Sequence, residues 1–283
     1  MKQKYWIYAS LCVFLWGMLS VLIRLTFNSF SALSLAAARS WIAAITMLII
    51  CIVKKIPPPR PRDIPFFLIA GAVGFTVYFV FYNMGFNLVT AATGNVVIAS
   101  SPIFTSLIAW IFLKERIRPL GWVFTGVSFI GIIILALWNG VFSINLGVIW
   151  LLIAAVFMST YNLMQRRLTR RYTAVQSSSF SLMGGAILIS PMLPTAISDA
   201  TTAPLSAIAV ILGISIASSF SYILWAKAIS MAKRTADVAN FLYVPPFLGA
   251  ILAFVIFREA PDWGTIIGGI VILFGLWMFQ KKA

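Results

Sequence analysis

One stretch of this chain is written twice. Residues 99–115 read ASSPIFTSLIAWIFLKE, and residues 243–259 read YVPPFLGAILAFVIFRE. At a constant offset of 144, Pro102 falls on Pro246, Ala109 on Ala253, Glu115 on Glu259 and, further on, Gly131 on Gly275. Each copy runs from a proline through an apolar segment to a basic–Glu pair. Such a chain must fold as two similar halves, 1–140 and 141–283, and in an apolar protein that organisation points to a carrier built from internal repeats.

The composition names the solvent. Of 283 residues, 61% are hydrophobic and only 10% charged, with a mean hydropathy of +1.01. That leaves too little polar surface for a water-soluble domain, so most of this protein faces lipid. The net charge of +15 is not a nucleic-acid footprint, because the basic residues lie in short clusters between apolar runs. There is no His, the two cysteines (Cys12 and Cys51) lie in separate apolar runs, and there are only six acids. Metal, haem and iron–sulfur sites therefore lack ligands, and no cofactor is expected. A hydrolytic carboxylate or thiol centre is equally hard to assemble, which argues against an enzyme.

Ten apolar runs are long enough to be membrane helices: 5–25, 31–53, 64–87, 91–113, 119–138, 146–165, 174–194, 205–230, 235–257 and 262–280. The first, preceded by Lys2 and Lys4, is too long for a cleavable signal and reads as a retained anchor. Seventeen of the 21 basic residues fall on one side of this arrangement, in clusters such as Lys54–Lys55, Arg60–Arg62, Arg166–Arg171 and Lys281–Lys282. Only Arg24 and Arg258 lie near the other face, with Arg39 and Lys227 inside spans. The positive-inside rule then places both termini in the cytoplasm of a multi-pass plasma (inner) membrane protein. Because five is odd, the second half enters the membrane upside down relative to the first. The expected fold is all-α, ten transmembrane helices in an inverted 5+5 repeat, the arrangement that supports alternating access.

These features together resemble a known family. Ten spans, a five-helix repeat, Leu15–Trp16–Gly17 in the first span, Arg39 in the second, and Pro102 to Lys114–Glu115 mirrored by Pro246 to Arg258–Glu259 are similar to the EamA-type drug/metabolite transporter superfamily. The resemblance covers nearly the whole chain. It implies a carrier of small metabolites, often amino acids and often outward, with a cavity between spans 1, 3, 4, 6, 8 and 9 and with spans 5 and 10 peripheral. The chain departs from strict symmetry: the sixth span reads Met158-Ser159-Thr160-Tyr161, and Phe180 stands about where the first half has Arg39. The site should therefore be asymmetric.

Polar side chains inside hydrocarbon must turn toward protein or a water-filled cavity, so they mark the pathway. Tyr78 and Tyr82 are one turn apart on one helical face, and with Trp16 they can form an aromatic wall whose hydroxyls orient a substrate. The candidate substrate-binding set adds Ser20, Asn83, Asn95, Ser101, Tyr161, Asn162, Ser218, Tyr222, Asn240 and Tyr243. Pro102, Pro245 and Pro246 interrupt the fourth and ninth spans symmetrically and read as hinge or gate elements. Trp122, Trp138, Trp263 and Trp277, near span ends, read as interface anchors.

Arg39 sits about 12 Å inside the second span at helical rise. It could hold a substrate carboxylate. The preferred reading is structural, an arginine that bonds helix-end carbonyls or snorkels outward, because the resemblance puts it on a peripheral helix.

A site with aromatics, hydroxyls and amides but no intramembrane carboxylate suits a neutral or zwitterionic solute. The expected function is a secondary carrier, functioning as a monomer, for a small-molecule substrate, with amino acids the best class. A nucleobase or nucleoside carrier of the same fold is the alternative, and a membrane enzyme on lipid precursors is disfavoured.

Overall fold

The structure is a computed structural model describing residues 5–113, 119–138, 145–232, 238, 240–258 and 260–282, some of them by backbone alone. Every regular element among them is helical: α1 Tyr5–Leu22, α2 Ala32–Val53, α3 Ile64–Gly71, α4 Tyr78–Leu88, α5 Ala91–Ile98, α6 Ser101–Leu113, α7 Pro119–Leu137, α8 Leu146–Leu168, α9 Ala174–Leu188, α10 Leu193–Thr202, α11 Leu205–Met231, α12 Val244–Phe257 and α13 Trp263–Lys282. Five helical stretches are long and apolar enough to cross a membrane: Tyr5–Thr26, Ala32–Val53, Pro61–Leu88, Leu146–Leu168 and Leu205–Met231. A sixth candidate is the pair Ala174–Leu188 and Ser190–Thr202, bent by 55°. The other four expected spans coincide with shorter apolar helices.

Lipid inverts the usual amphipathic pattern. On α2, Ile45, Leu48, Ile49 and Ile52 repeat at helical spacing and are exposed, whereas Ala36, Arg39, Ser40, Ala43 and Met47 are buried. The expected interface tryptophans Trp122, Trp138, Trp263 and Trp277 are all exposed. Inside, polar groups find protein partners. Ser178 donates to the Tyr222 carbonyl (3.0 Å), Thr76 to that of Gly185 (2.8 Å), and the hydroxyls of Thr93 and Thr265 share a bond at 2.7 Å. With no water in the hydrocarbon core, such pairs are the available way to satisfy these groups. Helix starts are capped in the same spirit: Ser31, Thr90 and Asn145 accept from the first-turn amides of α2, α5 and α8, and Thr173 with Gln176 forms a capping box on α9.

α1 packs on α11 and α12, α2 on α9 and α11, α4 on α8, and α5 on α12; α7 and α13 pair with each other. The largest buried cluster includes Met47, Phe67, Phe75, Phe79, Tyr161, Leu182 and Tyr222. Three breaks shape the interior. A π-helical segment, Ala72–Val77, separates α3 from α4 and re-aims the side chains that follow, beginning with Tyr78. α5 ends at Ile98 and α6 begins at Ser101, around Pro102. A 3-10 turn, Asn240–Tyr243, precedes α12 and Pro245.

The proline break has a local chemistry. Pro102 has no N–H for the carbonyl of Ile98, and the Ser101 hydroxyl donates to that carbonyl instead (2.6 Å). Ser159 on α8 donates to the carbonyl of Ser101 (2.7 Å). On the other side, Gly17 of α1 lets the chain approach Pro245 and Leu248: a Cβ added there would meet Leu248 Cβ at 3.0 Å. α8 thus lies against the break at Pro102, and α1 against the one at Pro245.

Candidate functional site

The breaks frame an internal cavity of about 50 Å³, enough for roughly three to five waters at 10–15 Å³ each. Its aromatic wall comes from Trp16 on α1, Tyr78, Phe79 and Tyr82 on α4, and Tyr222 on α11. Asn95, Ser101 and Ser218 supply polar atoms; Leu19, Ile98, Ala99, Met158, Leu242 and Pro245 complete the apolar surface. Arg39 also lines it.

The rings are fixed by one another. Tyr78 and Tyr82 have centroids 5.4 Å apart, Trp16 meets Tyr222 edge-on at 5.7 Å, and Trp16 leans on Trp225 at 5.0 Å. Tyr222 in turn packs edge-on against Phe75 at 4.8 Å. Edge-to-face contacts of this kind contribute about 0.5–1.5 kcal/mol each beyond burial. No described hydrogen bond occupies the hydroxyls of Tyr78, Tyr82 or Tyr222. The wall therefore offers ring faces and uncommitted O–H groups together.

Of the residues expected from sequence, Trp16, Tyr78, Tyr82, Asn95, Ser101, Ser218, Tyr222 and Pro245 meet at this cavity. Four others stand behind it. Ser20 accepts from Asn95 Nδ2 at 2.8 Å and so holds the amide that faces the cavity. Asn83 accepts from Arg39 Nη1 at 3.1 Å. Asn162 accepts from the Trp225 indole N–H at 3.0 Å. Tyr161 packs edge-on against Phe75 at 5.0 Å, with its hydroxyl buried and unpaired among the described residues. Pro102 lies one residue beyond the lining Ser101. The side chains of Asn240, Tyr243 and Pro246 lie outside the described residues.

The reading of Arg39 changes. It does not snorkel: its side chain is 6% exposed and points into the protein. Its described hydrogen bond goes to a side chain, Asn83, and not to helix-end carbonyls. The guanidinium carbon stands 4.7 Å from the centre of the Phe79 ring and 5.9 Å from that of Tyr82, a cation–π arrangement. A signal for this was available in the sequence. Ile45, Leu48, Ile49 and Ile52 form a stripe at helical period, and Arg39 falls on the opposite face. Phe79 was missed for a plainer reason: beside two tyrosines, an apolar ring gives no polar signal. No group of three or more His, Cys, Asp or Glu side chains is placed to hold a metal among the described residues.

Comparison with known proteins adds an independent line. The profile of the EamA-like transporter family matches twice, over residues 3–137 and 145–280. A "Probable terminal-alkyne amino-acid exporter" of Streptantibioticus cattleyicolor is 27% identical over 274 residues, covering 96% of this chain and 92% of that protein. An "S-adenosylmethionine uptake transporter" of Rickettsia bellii is 27% identical over 192 residues, covering 68% of this chain and 64% of that one. A protein of known crystal structure superposes with a TM-score of 0.68 at 17% identity, covering 98% of this chain and 96% of its own. At that identity the likeness speaks for the fold alone.

Proposed function

The chain belongs to the EamA-like transporter family, and from that premise we propose that it is a secondary carrier of small amphipathic metabolites, with amino acids the leading class. It is a multi-pass membrane transporter of small molecules; the substrate class, the ten-span arrangement and the orientation are the proposed part. The observation that carries the substrate reading is the cavity wall. Trp16, Tyr78, Tyr82 and Tyr222 present ring faces for an apolar side chain, and Asn95 and the tyrosine hydroxyls can orient a polar end. The amino-acid exporter among its relatives supports the same class.

The mechanism we propose is alternating access by an inverted pair of five-helix halves, divided near residue 140, with both termini cytoplasmic. Three features support it. One family profile matches each half separately. Ser128 on α7 donates to the carbonyl of Ile272 on α13, 144 positions later, the offset of the sequence repeat. The breaks at Pro102 and Pro245 border the cavity in matching places of the two halves. Rocking of one half against the other about these breaks would expose the cavity to each side in turn.

A nucleobase or nucleoside carrier is the second reading, since the aromatic wall could stack a base and one relative is named for S-adenosylmethionine uptake. Counterflow in proteoliposomes separates the possibilities. Vesicles preloaded with unlabelled phenylalanine or threonine should accumulate the labelled amino acid saturably. Accumulation driven only by preloaded purines would replace the amino-acid reading with the nucleobase one. An ohmic conductance without trans-stimulation would contradict a carrier altogether.

A further inference from the structure

Among the described residues that line the cavity, Arg39 alone is charged. A guanidinium keeps its proton at any working pH, so its charge must be met by its surroundings. Those surroundings are a neutral amide on Nη1 and two ring faces. No carboxylate pairs with Arg39 among the described residues. Its Nε is buried and has no hydrogen-bond partner among the described residues.

A purely structural arginine in a lipid-facing protein should be fully satisfied, because an uncompensated buried cation is expensive. Here a donor is left over on a residue 94% buried, at the wall of a cavity, beside tyrosine hydroxyls that are also uncommitted. The arrangement is complete except for an anion. A carboxylate fits because its two oxygens can take adjacent N–H donors of a guanidinium side by side. Asn83 would fix the guanidinium plane from behind, and the rings of Phe79 and Tyr82 would hold it laterally. A carboxylate at Arg39 leaves the rest of a small ligand against Tyr78, Tyr222 and Trp16.

We propose that Arg39 anchors the carboxylate of the transported solute, so that this carrier selects carboxylate-bearing small molecules over their neutral isosteres, with Asn83 as a positioning residue. The proposal rests on the reading of this cavity as the transport site. A site built to pair with a charged group discriminates strongly against an analogue lacking it, because its own buried donor is then left unpaired.

The test uses purified full-length protein in nanodiscs, titrated calorimetrically with matched pairs: phenylacetate against phenylacetamide, and 4-hydroxyphenylacetate against 4-hydroxyphenylacetamide. The acids should bind at least tenfold more tightly than their partners. Arg39→Gln should abolish that preference while keeping the protein folded, and Arg39→Lys should restore part of it. A residue with only a packing role would not alter the ratio of acid to amide. Equal binding of acid and amide, a preference that survives in Arg39→Gln, or no binding of any carboxylate by folded wild-type protein overturns the proposal. Saturable transport of a neutral solute such as adenine, indifferent to Arg39→Gln, would sink the anchor and leave the carrier reading intact. Failure of the folded protein to move any metabolite would sink the carrier reading.

Discussion

Ser128 and Ile272 are 144 positions apart and touch: the Ser128 hydroxyl donates to the Ile272 carbonyl at 3.3 Å. The neighbouring contacts are reciprocal. A Cβ on Gly131 would meet Ile272 Cγ1 at 2.8 Å, and one on Gly275, which is Gly131 plus 144, would meet the Ser128 amide nitrogen at 2.9 Å. Residue i meeting j′ while j meets i′ is what a two-fold axis between α7 and α13 produces.

Equal sensitivity of the two glycines follows. Gly131→Ala and Gly275→Ala each force a methyl into backbone contact and should each lower stability by about 1–3 kcal/mol. Because they share one interface, the double variant should depart from the sum of the singles. Thermal unfolding in detergent reads all three, and one glycine proving neutral would contradict the reciprocity.

Asn95 predicts a more local coupling. Its amide donates to the Ser20 hydroxyl and to the Ala91 carbonyl, and it fills the space above Gly249 of α12. Ser20→Ala should cost only about 0.6 kcal/mol, the usual worth of such a bond within membranes. Gly249→Ala drives a methyl into the amide and should both destabilise the protein and weaken substrate binding. A Gly249→Ala variant with unchanged counterflow KM would show that Asn95 is not at the site.

The serine beside the break makes a kinetic prediction. Pro102→Ala restores an N–H for the Ile98 carbonyl, now held by Ser101. If the break flexes during transport, this variant should turn over several-fold more slowly while its solute affinity stays within twofold. Unchanged turnover would reduce Pro102 to a fixed kink. Single-turnover counterflow together with equilibrium binding separates rate from affinity.

How much of this was legible in advance depended on the physics behind each feature. Apolar runs and basic clusters are imposed by the bilayer, so the helical elements and an apolar exterior could be read directly. The Pro102 and Pro245 breaks were legible because proline lacks a donor. The π-helical segment at Ala72–Val77 was not, since its sequence contains no proline to announce it. Polar content located Tyr78, Tyr82, Asn95 and Tyr222 at the cavity, but it could not separate a lining group from one just behind. Asn83 adjoins Tyr82 in sequence yet turns toward Arg39, and Tyr161 packs its ring so closely against Gly74 that any Cβ there would collide with it. For Arg39 the rotation of its helix, more than the charge taken alone, decides where the side chain lies.

Beside Arg170 and Arg171, the α8–α9 connection carries a pH-sensitive contact. Tyr172 donates to Asp63 Oδ2 at 2.6 Å, and that bond, with desolvation, raises the phenol above its usual value of 10.0. Folding thus favours the neutral phenol. The stabilisation is fully present below about pH 10 and is lost as pH rises through the raised value. Tyr172→Phe should be less stable than wild type at neutral pH by under about 1 kcal/mol, because solvent screens so exposed a contact, with the gap closing in strong alkali. A gap independent of pH would place the effect in packing.

Passage of solute through the cavity walled by Trp16, Tyr78, Tyr82 and Tyr222 would have a kinetic signature. It is tested most directly by the concentration dependence of labelled phenylalanine counterflow in Tyr78→Ala and Tyr82→Ala, with Ser230→Ala, an exposed position, as control. Both tyrosine variants should show a KM raised roughly tenfold or more, from lost ring contact worth about 1.5 kcal/mol, and the control should show no change. Wild-type kinetics in folded Tyr78→Ala and Tyr82→Ala would contradict it.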